Sequence, residues 1–254
     1  MSAGSLAVVG LGPGPRELMT FEADAAVRSA SDLVGYGPYL DRLPVLPTQN
    51  RHASDNRVEI DRARQALDLA LGGARVAIVS GGDPGVFAMG AAVFEAIEQG
   101  DPRWRDLDIE IHPGVSAMLA VAARLGAPLG HDFAVISLSD NLKPWDAIAR
   151  RLTAAAQADF VIALYNPASK ARPHLIHDVF KLLRGLKPPE TIVAFARAVN
   201  RPDERIELTT LETADPSIAD MSTLVLIGSS ATRRVIRSNG ACWVYSPRSY
   251  GDMR

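Results

Sequence analysis

The stretch that most limits the fold is the apolar run Val76-Ala77-Ile78-Val79, which passes directly into Ser80-Gly81-Gly82-Asp83-Pro84-Gly85-Val86-Phe87. An unbroken apolar run this short, with no polar alternation, reads as a strand covered on both faces, as in a parallel sheet flanked by helices. Residues leaving the carboxyl end of such a strand face the crevice where open α/β sheets hold ligands. Gly81 and Gly82 therefore fall at a binding edge, where the lack of a Cβ allows heavy atoms to approach the backbone closely. Asp83-Pro84 has the form of a helix start, with a carboxylate at the N-cap and proline in the first helical position. The Asp83 side chain suits capping as well as ligand contact.

The same arrangement occurs at the start of the chain. Leu6-Ala7-Val8-Val9 is a strand that runs into Gly10-Leu11-Gly12-Pro13-Gly14-Pro15. The dinucleotide fingerprint requires a third glycine where Pro15 stands and an acid at the end of the second strand. That strand, Leu33-Val34, ends in Gly35-Tyr36-Gly37 instead, and Pro13 and Pro15 lack the N–H groups that a phosphate cradle uses. These departures argue against NAD or ATP at this loop. Thr20 caps a helix running through Ala30, with Glu22 and Asp24 in its first turn. Gln49 to Asn56, which includes Arg51 and His52, reads as a polar loop, and Ile60, Ala63, Leu67 and Leu71 mark a helix ended by Gly72-Gly73. After the glycine-rich segment come a helix to Gly100, a strand over 107–111, and the turn His112-Pro113-Gly114-Val115-Ser116-Ala117 into a further helix. Ser116 can serve there as an N-cap.

A chain of 254 residues is at the size where single cores stop growing, which favours two domains. The breaker-rich segment Gly126-Ala127-Pro128-Leu129-Gly130 places their boundary, giving domains 1–128 and 129–254. The second half restarts the pattern with a strand over 133–136 that leads into Ser137-Leu138-Ser139-Asp140-Asn141, and with a helix faced by Trp145, Ile148 and Leu152. Another strand, ending at Leu164, precedes Tyr165-Asn166-Pro167-Ala168-Ser169-Lys170-Ala171-Arg172. Thr191 to Ala196 and Thr223 to Ile227 are further strands; 206–208 and 243–245 read as short strands not joined by helices, so the second sheet is expected to be mixed. A net charge of -2 and a pI near 6.2 leave no basic field for nucleic acid, so a small molecule is the expected partner. No apolar stretch approaches the ~18 residues of a membrane span. Cys242 has no internal disulfide partner, and the amino terminus has no basic region ahead of a long apolar run, which together point to the cytoplasm. The five histidines are scattered, without metal-ligand spacing.

Four segments in order, Val9-Gly10-Leu11-Gly12-Pro13-Gly14, Ser80-Gly81-Gly82-Asp83-Pro84, Pro113-Gly114-Val115-Ser116-Ala117 and Gly126-Ala127-Pro128-Leu129, make the chain similar to the tetrapyrrole methyltransferase family, the S-adenosylmethionine (SAM) enzymes of sirohaem and cobalamin synthesis. The resemblance runs over essentially the whole length. Gly35-Tyr36, Ile136 to Asp140 followed by Pro144-Trp145, and Leu164 to Ser169 with Arg172 resemble the branch that methylates carbon 17 of a corrin precursor and contracts its ring. The family fold implies two α/β domains, a mostly parallel amino-terminal sheet and a mixed carboxyl-terminal one, with SAM folded in the cleft between them. By motif, Gly81, Gly82, Asp83, Val86, Ser116 and Ala117 are implied to contact SAM, with Asn166 and Val199 adding later contacts; Asn166 stands where many relatives carry methionine. Gly12, Pro13 and Gly14 are implied to face the tetrapyrrole. A homodimer is implied by the same resemblance.

That chemistry asks mainly for alignment of a methyl group already activated on sulfur, and S-adenosylhomocysteine is the by-product. The substrate's carboxylates call for cations, and Arg51, Lys143, Arg172 and Arg197 lie in loops expected to border the site, though each also suits a solvated surface. Ring contraction needs a general base and an acid, for which Asp140, Ser139, His52 and Tyr36 are the candidates; Asp140 equally suits ordering its own loop. Two other functions fit the same residues. One is a sister methyltransferase acting at another carbon, and the other is a regulatory module that binds a nucleotide without turnover.

Overall fold

The computed structural model describes residues 4–55, 58–139, 143–168 and 173–249. It divides into two compact units, 1–117 and 118–254.

In the first unit, strands β1 (Ser5–Gly10), β2 (Asp32–Tyr36), β3 (Asn50–Ser54), β4 (Arg75–Ser80) and β5 (Asp108–His112) form one sheet in the order β3-β2-β4-β1-β5. Every pairing in it is parallel. The helices are α1 (Phe21–Ser29), α2 (Gly37–Leu40), α3 (Glu59–Leu71) and α4 (Met89–Gln99). The unbroken apolar character of the central strands has a direct cause. Leu6, Val8, Val76 and Ile78 pack into one core with residues of α3 and α4, while Val9, Ala77 and Val79, pointing the other way, join a second core with α1 and Leu40. Alternate side chains thus serve opposite faces, and no position is left for a polar residue.

Two local readings are corrected. The segment Gln49 to Asn56 is no loop over its middle: Asn50–Ser54 is the edge strand β3, whose polar residues suit a strand with one open side. No helix begins at Asp83-Pro84; α4 starts at Met89 with Ala88 as its N-cap residue. The intervening residues form turns, in which Val86 N donates to Asp83 O and Gly90 N to Pro84 O. Thr20 does cap α1, its Oγ1 accepting from Ala23 N at 3.1 Å.

The second unit carries α5 (Ala117–Leu125, starting on the last residue of the first unit), β6 (Gly126–Ala127), β7 (Phe133–Ser137), α6 (Trp145–Gln157), β8 (Val161–Tyr165), α7 (Leu175–Arg184), β9 (Ile192–Arg197), β10 (Arg205–Thr210), β11 (Thr223–Ile227), β12 (Arg233–Ile236) and β13 (Cys242–Tyr245). Its main sheet runs β10-β9-β11-β8-β7, parallel only between β7 and β8 and antiparallel elsewhere, so it is mixed as expected. Its core joins Ile148 and Leu152 of α6 to Ile176, Val179, Phe180 and Leu183 of α7, and Phe180 stacks on Phe195 at 5.6 Å between centroids. A small third sheet, β12-β13-β6, was not foreseen. It accounts for the position of the division. Gly126-Ala127 pairs with β13, and Ser246 bonds Ala127 O through its N and Pro128 O through its Oγ. The breaker-rich segment is therefore a strand of the second unit and not a linker.

Candidate functional site

In the first sheet, β1 and β4 lie side by side, with Gly10 opposite Ser80, and β5 flanks β1 with His112 opposite Val9. The chain leaves β1 toward α1 on one face and leaves β4 toward α4 on the other. Adjacent strands whose onward connections part to opposite faces open a crevice at their carboxyl ends. The loops after β1, β4 and β5 meet there, and they carry the three glycine-rich segments.

Backbone contacts join these loops. Gly12 N donates to Gly82 O at 3.1 Å and Gly82 N to Gly12 O at 2.9 Å, an isolated antiparallel bridge. Both residues are left-handed, Gly12 at φ 67 and Gly82 at φ 68, a conformation that side chains oppose. A Cβ on Gly114 would stand 2.2 Å from Gly82 O, and one on Gly10 would stand 2.7 Å from both Gly114 N and Gly82 O. Glycine is needed at these positions for backbone-on-backbone packing. Asp83 secures the arrangement: its Oδ1 accepts from Gly85 N at 2.8 Å and its Oδ2 from Gly114 N at 3.0 Å. Its carboxylate thus clamps the loop after β4 to the loop after β5, in place of the helix cap read from the sequence. Thr20 Oγ1 donates to Pro113 O at 3.3 Å.

Arg42, which no sequence pattern singled out, organises the first loop. Its Nη2 donates to the carbonyls of Leu11, Gly12 and Gly14 at 2.7, 3.0 and 2.7 Å. Gly12 and Pro13 are buried in this arrangement and Gly14 is half-buried. The two central glycines then separate in role. A Cβ on Gly81 would meet the Tyr39 ring at 2.8–2.9 Å, so its small size serves Tyr39, which itself stands edge-to-face with Tyr36 at 5.4 Å. A Cβ on Gly82 would find only Ser116 Cα, Ala117 N and Val115 O, at 3.9–4.0 Å. On that side Gly82 is bordered by Ser116 and Ala117 without a clash, so the constraint on this residue is its φ of 68. Val86 is half-buried in the same loop, and Ser116 is buried.

Tyr36 ends β2 at the carboxyl edge. His52 does not join it: its Nε2 lies 2.8 Å from Oδ1 of Asp32, the first residue of β2, at the opposite edge. Burial by itself would raise the Asp32 carboxyl, but hydrogen bonds from His52, Ser31 and Asn50 outweigh it and hold the group below its ordinary value. The imidazole read as a proton-transfer candidate is thus engaged in a hydrogen-bond contact between neighbouring strands. Arg51, read as a carboxylate partner, donates to the carbonyls of Leu40, Leu43 and Pro44 and closes the turn after α2. In both cases the neighbouring edge strand and turn supply partners that position in the sequence does not reveal.

In the second unit, β7 and β8 end together, with Ser137 opposite Tyr165. Asn166 follows in the left-handed region at φ 55, and its Nδ2 donates to Ser137 Oγ at 2.9 Å. Ser139 is half-buried beside them, its N donating to the same Oγ at 3.3 Å. Tyr165 Oη accepts from Met118 N at 2.9 Å. Asp140 and Arg172 lie outside the described residues. Burial, with the nearby Arg151 charge adding to it, lowers the Lys143 ammonium from its ordinary value. Arg197, read as another carboxylate partner, is already neutralised: its Nε donates to Asp220 at 2.8 Å and its Nη1 to Asp203 at 2.6 Å, and both bonds raise its pKa further. Val199 is buried between Ala198 at φ 49 and Asn200 at φ 65. Paired left-handed residues outside glycine are uncommon and cluster at functional sites.

Comparison with known proteins agrees with this geometry. A precorrin-3B C(17)-methyltransferase from Sinorhizobium sp is 58% identical over 97% of this chain and 97% of that protein. The crystal structure of the methyltransferase CobJ superposes with a TM-score of 0.92 at 50% identity, covering 96% of this chain and all of that one. A uroporphyrin-III C-methyltransferase from Thermus thermophilus, complexed with S-adenosylhomocysteine, shares the fold at 23% identity, with a TM-score of 0.68 over 89% of this chain and 97% of that one. The profile of the Tetrapyrrole (Corrin/Porphyrin) Methylases matches residues 5–215, and with it the crossed glycine loops fall into place: the chain belongs to that family.

Proposed function

We propose that this protein is the SAM-dependent methyltransferase of cobalamin biosynthesis that methylates carbon 17 of precorrin-3B, with contraction of the ring to precorrin-4. The observation that carries the reading is the meeting of the loops after β4 and β5 at Gly82, bordered by Ser116 and Ala117. The near-full-length relative at 58% identity supports the choice of substrate. SAM supplies a methyl group on a positively charged sulfur, ready for displacement by a carbon nucleophile. The protein's part is alignment and exclusion of water, effects that reach about 7–11 kcal/mol in well-oriented systems.

Gly81, Gly82, Asp83, Val86, Ser116 and Ala117 would hold the cofactor in the first unit. Asp83 acts there by fixing the two loops to each other through Gly85 N and Gly114 N. Asn166 and Val199 would contribute from the second unit. Gly12, Pro13 and Gly14, shaped by Arg42, would face the tetrapyrrole, and Lys143 with Arg172 would meet its carboxylates. For ring contraction the base would be Asp140, with Ser139 and Tyr36 near the reacting oxygens; His52 is left to its pairing with Asp32.

Incubating the full chain with SAM and precorrin-3B, and separately with its cobalt-containing counterpart, tests the assignment by product mass and spectrum. One added methyl group on a contracted ring is expected from precorrin-3B. Methylation of a different precorrin alone would shift the assignment to a sister enzyme, and stoichiometric SAM binding with no transfer to any of them would favour a regulatory module. In the same assay Asp140→Asn, which keeps size while removing the base, should bind SAM normally and accumulate a methylated, uncontracted macrocycle. Contracted product at the wild-type rate would remove Asp140 from the role.

Among the described residues no helix is long and apolar enough to cross a membrane. We further propose a cytoplasmic homodimer with no nucleic-acid partner. Light scattering at micromolar concentration should return twice the mass of one chain, and a monomer there would count against it.

A further inference from the structure

Ser137 closes β7 and is 5% exposed. A serine hydroxyl offers two acceptor sites and one proton. Here both acceptor sites are taken: Asn166 Nδ2 donates to the oxygen at 2.9 Å and Ser139 N at 3.3 Å. The side chain that fills the first is held by a left-handed backbone at φ 55, and the second comes from the residue two past the end of the strand. With both filled, Ser137 can act only as a donor, and among the described residues nothing accepts its proton. Buried donors are ordinarily satisfied. This one stands at the aligned carboxyl ends of β7 and β8, with Ser139 and Asn166 around it.

We propose that Ser137 is a one-way hydrogen-bond donor to a carboxylate oxygen of a bound small molecule, oriented by Asn166 and Ser139. This inference rests on the function proposed above. It adds a binding residue to that site and gives Asn166 a definite task, which is to turn the serine's proton outward. Two carboxylate sources are available in that reaction, the amino-acid end of SAM and the acid side chains of the tetrapyrrole. A carboxylate suits the position because it only accepts, whereas a ligand N–H would find no lone pair on a serine whose acceptor sites are both filled.

The test uses the full-length chain and its variants Ser137→Ala and Ser137→Cys; the cysteine keeps nearly the serine volume but donates weakly, so it also answers if the alanine variant fails to fold. S-adenosylhomocysteine affinity is measured by calorimetry, and KM and kcat for precorrin-3B are measured at saturating SAM. Each variant is expected to lose roughly tenfold in one of the two ligands, a change worth about 1.4 kcal/mol, with the other ligand within about twofold. Loss in calorimetry identifies the SAM carboxylate, and a raised KM with kcat retained identifies the tetrapyrrole's. Unchanged values in both arms with a lowered melting temperature would overturn the proposal and leave Ser137 a packing residue whose proton goes to water. A wild-type protein silent in both arms would instead overturn the functional reading, and this inference with it.

Discussion

Gly82→Val is expected to weaken SAM binding by roughly ten- to a hundredfold, since filling an occupied space typically costs ~1–3 kcal/mol and each ~1.4 kcal/mol is a factor of ten. The new side chain enters the space bordered by Ser116 and Ala117, where the nearest protein atoms are 3.9–4.0 Å from the Cβ position, so the protein itself scarcely resists it sterically. The fold does resist the backbone conformation: φ 68 costs a side-chain-bearing residue about 1–2 kcal/mol, with a β-branched one at the upper end. That is a minor share of the 5–15 kcal/mol typical of a domain, so the variant should remain folded with a lowered melting temperature. Gly82→Ala separates the two contributions, because it meets the same backbone strain with less bulk and should therefore melt nearly as low while binding more tightly than the valine variant. Calorimetric titration with SAM alongside thermal melts reads both quantities. Valine and wild type binding equally well would take Gly82 out of the cofactor site.

Gly114→Ala is expected to act first on the fold. Its Cβ would stand 2.2 Å from Gly82 O and 3.0 Å from Gly10 C and Cα, all of them backbone atoms inside the bridged loops. No rotamer change relieves such a contact. The cost should exceed the ~1–3 kcal/mol usual for overpacking, and about 3 kcal/mol lowers the melting temperature of a domain this size by roughly 10 °C. The displaced loop would also break the bond from Gly114 N to Asp83 Oδ2 and so loosen the clamp between the two loops. Circular dichroism melts of the full chain measure the effect, and a midpoint within a degree or two of wild type would show that the loops can separate without penalty. Substitution at these two nearby glycines should thus differ in emphasis, with valine at 82 acting chiefly on the ligand and alanine at 114 chiefly on the fold.

The fold class of this chain was legible in its sequence for a local reason. Val76 to Val79 and Leu6 to Val9 are apolar throughout because alternate side chains enter cores on opposite faces of the sheet, and that requirement leaves its mark on consecutive residues. The glycine segments were legible as loops at strand ends on the same ground, since each follows such a strand directly. The helix α6 was readable too, with Ile148 and Leu152 on its buried face.

The partners of individual polar side chains were not legible, because they come from segments distant in sequence. His52 meets Asp32 only because β2 and β3 pair in their particular register, and Arg51 and Arg42 find backbone carbonyls that a turn brings around. Asp83 looked like a helix cap because its neighbours suit one; the competing N–H of Gly114, 31 residues away, prevails through its place on an adjacent loop. The difference between Gly81, small to admit Tyr39, and Gly82, open toward Ser116, likewise depends on which way each Cβ would point once the loops have crossed. The layers, the strand ends and the type of loop that leaves them are written in consecutive residues. Which donors and acceptors those loops use up on each other is settled in three dimensions, because a hydrogen bond is set by distance and direction in space, and spacing along the chain specifies neither across a sheet.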